Sequence, residues 1–335
     1  MKKSAEMHKA LTALAYIVML TGMTLLLAVV FRYPQNHLIP RQMIPGVGIC
    51  VIVLLAAGAL WNKIYSLIGK RTPLYLLALT IFGVLLYITS LSRQGNENTL
   101  VDYTYVYRDA MNLATGGTLE YTDYFVTYSN NLKPMLLLSV WFRVAVLLGI
   151  SPFHFVLLRN VLLVLLVVWA CGYLTEQKGD CRWRFPILLT FAFLLPLWDM
   201  VSVFYTDSMS FGLGILTLAL LKKAGSAKTN RGKTLWSVLA GAVTILAIIW
   251  KITAIIPLIA CTMILLWQRE KADRHVILSF VVSVIVFGVG LQLWANTYDV
   301  TRKATVTANP VISWVALGMK EDGSWTNNTE LVEQM

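Results

Sequence analysis

The sequence predicts an all-α fold: a polytopic helical bundle integral to a membrane, with a polar loop and a surface helix at one face. Three observations carry this expectation. The chain is 57% hydrophobic and only 13% charged, whereas a soluble domain carries about 25% charge. Its mean hydropathy is +0.67. Apolar runs recur along its length, and several approach the roughly 20 residues that cross a bilayer.

Candidate spans are 10–31, 44–61, 73–91, 154–174, 185–203, 209–221, 235–251, 254–266 and 276–294. The basic start, MKKSAEMHKA, precedes an apolar run too long for a signal-peptide core and reads as a retained first span. A further apolar segment, 134–150, is short and carries Arg143. If it crossed the membrane, the basic loop KKAGSAKTNRGK (222–233) would fall outside, against the positive-inside bias. Laid along the outer surface, it leaves that loop and 175–184 in the cytoplasm. The expected organisation is three N-terminal helices in 1–91, an external loop and surface helix in 92–153, a bundle in 154–294 and an external segment in 295–335. The protein is thus expected in the cell membrane, multi-pass, with its N-terminus cytoplasmic.

The formal net charge of +11 does not imply nucleic acid, because the basic residues sit in short loops between apolar runs, where they set topology. Cys50, Cys171, Cys181 and Cys261 lie in or beside apolar runs and show no metal-ligand spacing.

Polar residues converge on one face. The loop 92–133 reads SRQGNENTLVDYTYVYRDAMNLATGGTLEYTDYFVTYSNNLK. From Asp102 to Ala114 its pattern suits a helix, which Gly116–Gly117 would end. Helical spacing puts Asp102 on a face with Tyr105 and roughly with Asp109. Lys133 stands at the lip of the surface segment, where a lysine also snorkels to headgroups. Arg159 and Lys251 lie in or near apolar runs, where a central Arg or Lys costs about 2.5–3.5 kcal/mol and usually faces a bundle interior or a wet cavity. Asp207, in YTDSMSFGLG, opens a span and reads equally as a helix cap. Together these residues describe an external pocket with carboxylates and cations, suited to a hydroxyl and a phosphate.

In their order, these residues resemble the membrane glycosyltransferases of the C superfamily, the group that includes protein O-mannosyltransferases and the lipid A aminoarabinose transferase. Asp102, Ala110, Gly116, Lys133–Pro134, Gly149 and Arg159 follow the family's order, as do Asp207 and the Lys251 to Pro257 motif WKITAIIP. The resemblance covers roughly residues 95–270. It implies transfer of a sugar from a polyprenyl-phosphate donor to a cell-envelope acceptor, within the membrane lipid and without nucleic acid. Asp102 would then be the general base, Lys133, Arg159 and Lys251 would hold the departing phosphate, and Asp207 would orient the acceptor or a cation. Tyr103 stands where the family has a second acid, so a divalent cation stays an open cofactor and Asp109 a substitute acid. Ile252 replaces the family's glycine, and the polar end GMKEDGSWTNNTELVEQM stands where relatives continue with further spans. A lipid or solute transporter, or an inactive truncated membrane protein, are the alternatives.

Overall fold

A computed structural model describes residues 72–91, 101–176, 180–256, 259, 273–301 and 303, which belong to one compact unit, Lys70–Met335. The predicted spans 10–31 and 44–61, most of 254–266 and nearly all of the segment beyond Ala295 lie outside the described residues. Those described form helices and no strand, in agreement with the all-α expectation.

Four helices are long and apolar enough to cross a membrane: α1 (Thr72–Leu91), α5 (Pro152–Thr175), α10 (Asn230–Trp250) and α11 (Arg274–Ala295). At 1.5 Å per residue they measure about 30–36 Å, against a hydrocarbon core of about 30 Å. This is a membrane protein. Helix α5 is the axis of the bundle: 56% of its apolar window is buried, against 11% for α11. Val156, Leu157, Val164, Val167 and Val168 of α5 lie in the core, where α1, α4 (Leu132–Leu147), α6 (Arg184–Phe193) and α9 (Leu213–Gly225) pack on it. Leu278, Ile285, Val286, Val289 and Leu293 of α11 face outward. Such a row would be a liability in water but meets lipid at no cost.

The helix ends sort into two groups. At one end, Lys222 of α9 donates to the carbonyls of Tyr173, Leu174 and Glu176 at 2.7, 3.1 and 2.8 Å. An ammonium there satisfies the last orphan carbonyls of α5 and meets the negative end of its dipole. Arg184 pairs with Glu176 at 2.7 Å. Lys233 pairs with Asp273 at 2.5 Å, and Thr234 meets His275 at 2.8 Å, which joins the starts of α10 and α11. The opposite end holds α2 (Val101–Ala114), α3 (Thr122–Thr127), the start of α4, α8 (Thr206–Ser210) and Lys251. There hydrogen bonds and an ion pair join Asp102 to Tyr124 and Tyr205, and Asp207 to Lys251; residues 92–100 lie outside the described residues.

Helix α2 ends as the sequence predicts. The amides of Gly116 and Gly117 reach back to the carbonyls of Leu113 and Asn112, and Gly116 holds φ +87°, a left-handed cap that suits glycine. Helix α4 covers the segment expected at the surface. Its 16 residues span about 24 Å, and it buries Met135, Leu136, Leu138 and Phe142 against α2 and α5.

Two expected spans are broken. The run 185–203 divides at Leu194 into α6 and α7 (Leu195–Met200). Pro196 has no N–H to continue the ladder from α6, and it suits the first turn of α7. The run 209–221 divides between α8 and α9, at Gly212 with φ +62°. A Cβ on Gly212 would come within 2.5 Å of a Val167 methyl. This is where the chain turns against the bundle axis.

Gly212→Ala therefore meets both a backbone penalty and a clash. It should destabilise the protein by about 1–3 kcal/mol, read as a lower unfolding temperature in detergent. An unchanged temperature would show that the α8–α9 turn tolerates a side chain.

Candidate functional site

The site begins with how α2 and α3 are held. After the Gly116–Gly117 turn the chain doubles back, and Asp109 of α2 receives it. Asp109 is fully buried, and its two oxygens accept the amides of Glu120 and Tyr121 at 2.8 and 3.0 Å. Burial pushes its carboxyl above the usual carboxylate range, and these two amides pull it back. Phe125 of α3, at 0% exposure, plugs the core beneath. With both ends of this segment fixed, Tyr124 is directed at the start of α2.

There, Tyr124 donates its phenolic proton to Asp102 Oδ1 at 2.8 Å and accepts from Asn131 Nδ2 at 2.7 Å. The Tyr205 hydroxyl lies 3.3 Å from Asp102 Oδ2 and 3.3 Å from Asn131 Oδ1, so its single proton is shared between two acceptors. Asn131 is 3% exposed and immediately precedes α4, while Tyr205 precedes α8. Burial first, then the hydrogen bond to Asp102, holds the Tyr124 phenol well above its ordinary range. Burial first, then the Asp102 charge, does the same to Tyr205. Both phenols therefore stay protonated and remain donors. Asp102 is exposed, so phenols fix its orientation while it stays open to an incoming group.

Cations lie beside this network. Arg159 of α5 donates to Asn160 Oδ1 at 2.9 Å, to Met209 Sδ at 2.9 Å and to the Met209 carbonyl at 3.2 Å. Its guanidinium lies 5.9 Å from the Trp141 ring centre and 5.7 Å from that of Trp250. Neutral groups and two aromatic faces thus surround a half-buried charge, and among the described residues no carboxylate pairs with it. Lys133, the second residue of α4, is half-buried with no hydrogen bond or ion pair to a described residue, and burial lowers its pKa. An anion would reverse that penalty. Asp207 and Lys251 form an ion pair between α8 and the end of α10. Both are well exposed, and such a pair contributes about 0–1 kcal/mol.

The structure brings Asp102, Asp207 and Lys251 to one end of the bundle. Arg159 adjoins them through Met209 and Trp250. Lys133 follows Asn131 by two residues, and Asp109 lies beneath, holding the loop. Sequence reasoning missed Tyr124, Asn131 and Tyr205, which orient Asp102, and Trp141 and Trp250, which flank Arg159. The tyrosine and asparagine density of YTDYFVTYSNN was the available signal.

Tyr103, next to Asp102, turns into the core at 3% exposure. Among the described residues no three His, Cys, Asp or Glu side chains converge. The described residues at this end therefore do not fit a resident divalent cation. Compared with known proteins, the chain matches no family model, no curated sequence and no solved structure.

Asp109→Ala leaves two amides without their acceptor, a loss of about 1–3 kcal/mol each where they stay dry. The segment 118–131 should then become open to proteolysis and to amide hydrogen exchange. Exchange as slow as in the wild type would remove Asp109 from its place as the clamp.

Proposed function

We propose that this chain is an inverting membrane glycosyltransferase, moving a sugar from a polyprenyl-phosphate donor to a hydroxyl of a cell-envelope acceptor. One observation carries the reading: an exposed, oriented carboxylate, Asp102, shares an end of the bundle with half-buried cations, Lys133 and Arg159, that have no carboxylate partner among the described residues. A carboxylate of this kind takes a proton, and cations of this kind hold a phosphate.

In this reading Asp102 takes the acceptor hydroxyl proton as the oxygen attacks the anomeric carbon from the face opposite the phosphate. The new carbon–oxygen bond forms as the bond to the phosphate oxygen breaks, so the anomeric centre inverts. The polyprenyl phosphate leaves with the electron pair, and Lys133, Arg159 and Lys251 meet the charge that develops on it. Asp207 orients the acceptor or Lys251. Asp109 acts indirectly, by holding the loop that carries Tyr124. Lys133 and Lys251 stand at helix ends and Arg159 about two turns into α5, which favours a reaction near headgroup depth over a path through the membrane.

Charge sets the sidedness of the reading. Arg182, Arg184, Lys222, Lys223, Lys228 and Arg231 belong to the end opposite Asp102, and the positive-inside bias assigns them to the cytoplasm. Asp102 is then external, α4 lies along the outer surface, and the N-terminus is cytoplasmic. A cysteine placed at Ser129 should react with a membrane-impermeant thiol reagent in intact cells, and one at Ser226 only after permeabilisation. Labelling at 226 from outside would reverse the sidedness.

The chemistry is tested with the full chain in lipid nanodiscs and a labelled polyprenyl-phosphate sugar. Asp102→Asn keeps size but cannot take a proton, so turnover should fall about 10²–10⁴-fold with donor binding nearly intact. Arg159→Met should instead weaken donor binding by about 1.5–3 kcal/mol. Wild-type turnover in Asp102→Asn would remove it from the mechanism. Movement of a lipid or solute without any sugar transfer would replace this reading with a transporter.

A further inference from the structure

Beside Asp102 stands a wall of tyrosines, of which the transfer step uses only Tyr124, to orient Asp102. The ring centres of Tyr105 and Tyr121 are 4.8 Å apart, those of Tyr105 and Tyr124 are 4.5 Å apart, and those of Tyr124 and Tyr128 are 5.0 Å apart. Neighbouring planes are inclined at 56°, 40° and 41°, so the rings meet at a tilt and do not lie flat on one another. All four remain partly open, whereas Phe125 and Tyr103 of the same region are buried in the core. Packing alone does not require this division. Every ring on the open wall carries a hydroxyl, and every buried neighbour serves the core.

The surroundings select the occupant. Asp102, Glu120 and Asp123 are exposed around the wall. Arg108, the basic residue there, donates to the Tyr121 hydroxyl at 3.0 Å. Carboxylates at this density repel phosphate and anionic headgroups. A neutral polyol suits the wall on both counts. Its C–H face carries slight positive charge toward the negative faces of aromatic rings, and its hydroxyls donate to carboxylates and exchange hydrogen bonds with phenols.

We infer that the acceptor is itself a carbohydrate, seated on Tyr105, Tyr121, Tyr124 and Tyr128 with one hydroxyl at Asp102. The site then has two poles, an acidic tyrosine wall for the acceptor and the tryptophan-flanked cation Arg159, with Lys133, for the donor phosphate. The place of this sugar in the reaction rests on the glycosyl-transfer reading, but its binding requires no donor.

The test uses the full chain in nanodiscs of uncharged phosphatidylcholine, titrated without donor with tetrasaccharides of glucose, mannose and N-acetylglucosamine. Binding is read by saturation-transfer NMR and calorimetry. At least one tetrasaccharide should bind, and Tyr105→Leu and Tyr128→Leu should each weaken it about three- to tenfold. Tyr128→Phe keeps the ring and should retain most of the affinity, which separates stacking from a folding defect. Unfolding temperatures of the variants confirm that the chain is intact. Absence of binding for all three sugars overturns the inference. Equal binding by wild type and both leucine variants overturns it too, and makes the tyrosines an interfacial belt at headgroup depth. If sugar binding and its tyrosine dependence persist while no donor supports transfer, the carbohydrate site stands and the glycosyl-transfer reading falls.

Discussion

Asn131 stands where three separate stretches of chain meet, and its amide keeps them in register. Its nitrogen donates to Tyr124 and its oxygen faces Tyr205, while both phenols turn to Asp102. An amide so deeply buried needs both halves satisfied, since an unpaired buried polar group costs about 1–3 kcal/mol. That requirement ties α3 and the start of α8 to the start of α4. Asp102 inherits its orientation from them. The bundle beneath can be built from greasy, interchangeable contacts because this small polar knot sets the geometry above it.

The rest of the molecule follows from the same constraint. A chain this apolar has few polar groups, and several of its buried and half-buried ones tie distant segments together. Asp109 takes two amides, Lys222 takes three carbonyls, and Asn160 donates to the carbonyl of Val201 at 3.0 Å. These bonds join segments that hydrophobic packing would leave free to slide. The apolar residues supply cohesion, and the polar ones supply register.

The sequence disclosed the helices because length and hydropathy are properties of contiguous residues. It disclosed the end of α2 because Gly116–Gly117 is a local signal. The breaks at Leu194 and Gly212 were hidden by continuous apolar runs, although Pro196 marked the first. Gly212 is set by Val167 of α5, a neighbour that no local window contains. Site residues divide in the same manner. Asp102, Arg159, Asp207 and Lys251 stood out as rare charges in an apolar chain. Tyr124 and Tyr205 did not, because their partner Asp102 lies 22 and 103 residues away and tyrosines are common wherever helices reach headgroups.

The ion pair between Asp207 and Lys251 has a consequence of its own. Two opposite charges that are both open to solvent act as each other's counterions, and either is exchangeable. An anion that captures Lys251 leaves Asp207 without its neutralising partner, so one negative group arrives and another is uncovered in the same event. The pair is balanced while it stays closed, and Asp207 becomes a free acceptor of protons or cations only when an anion holds Lys251.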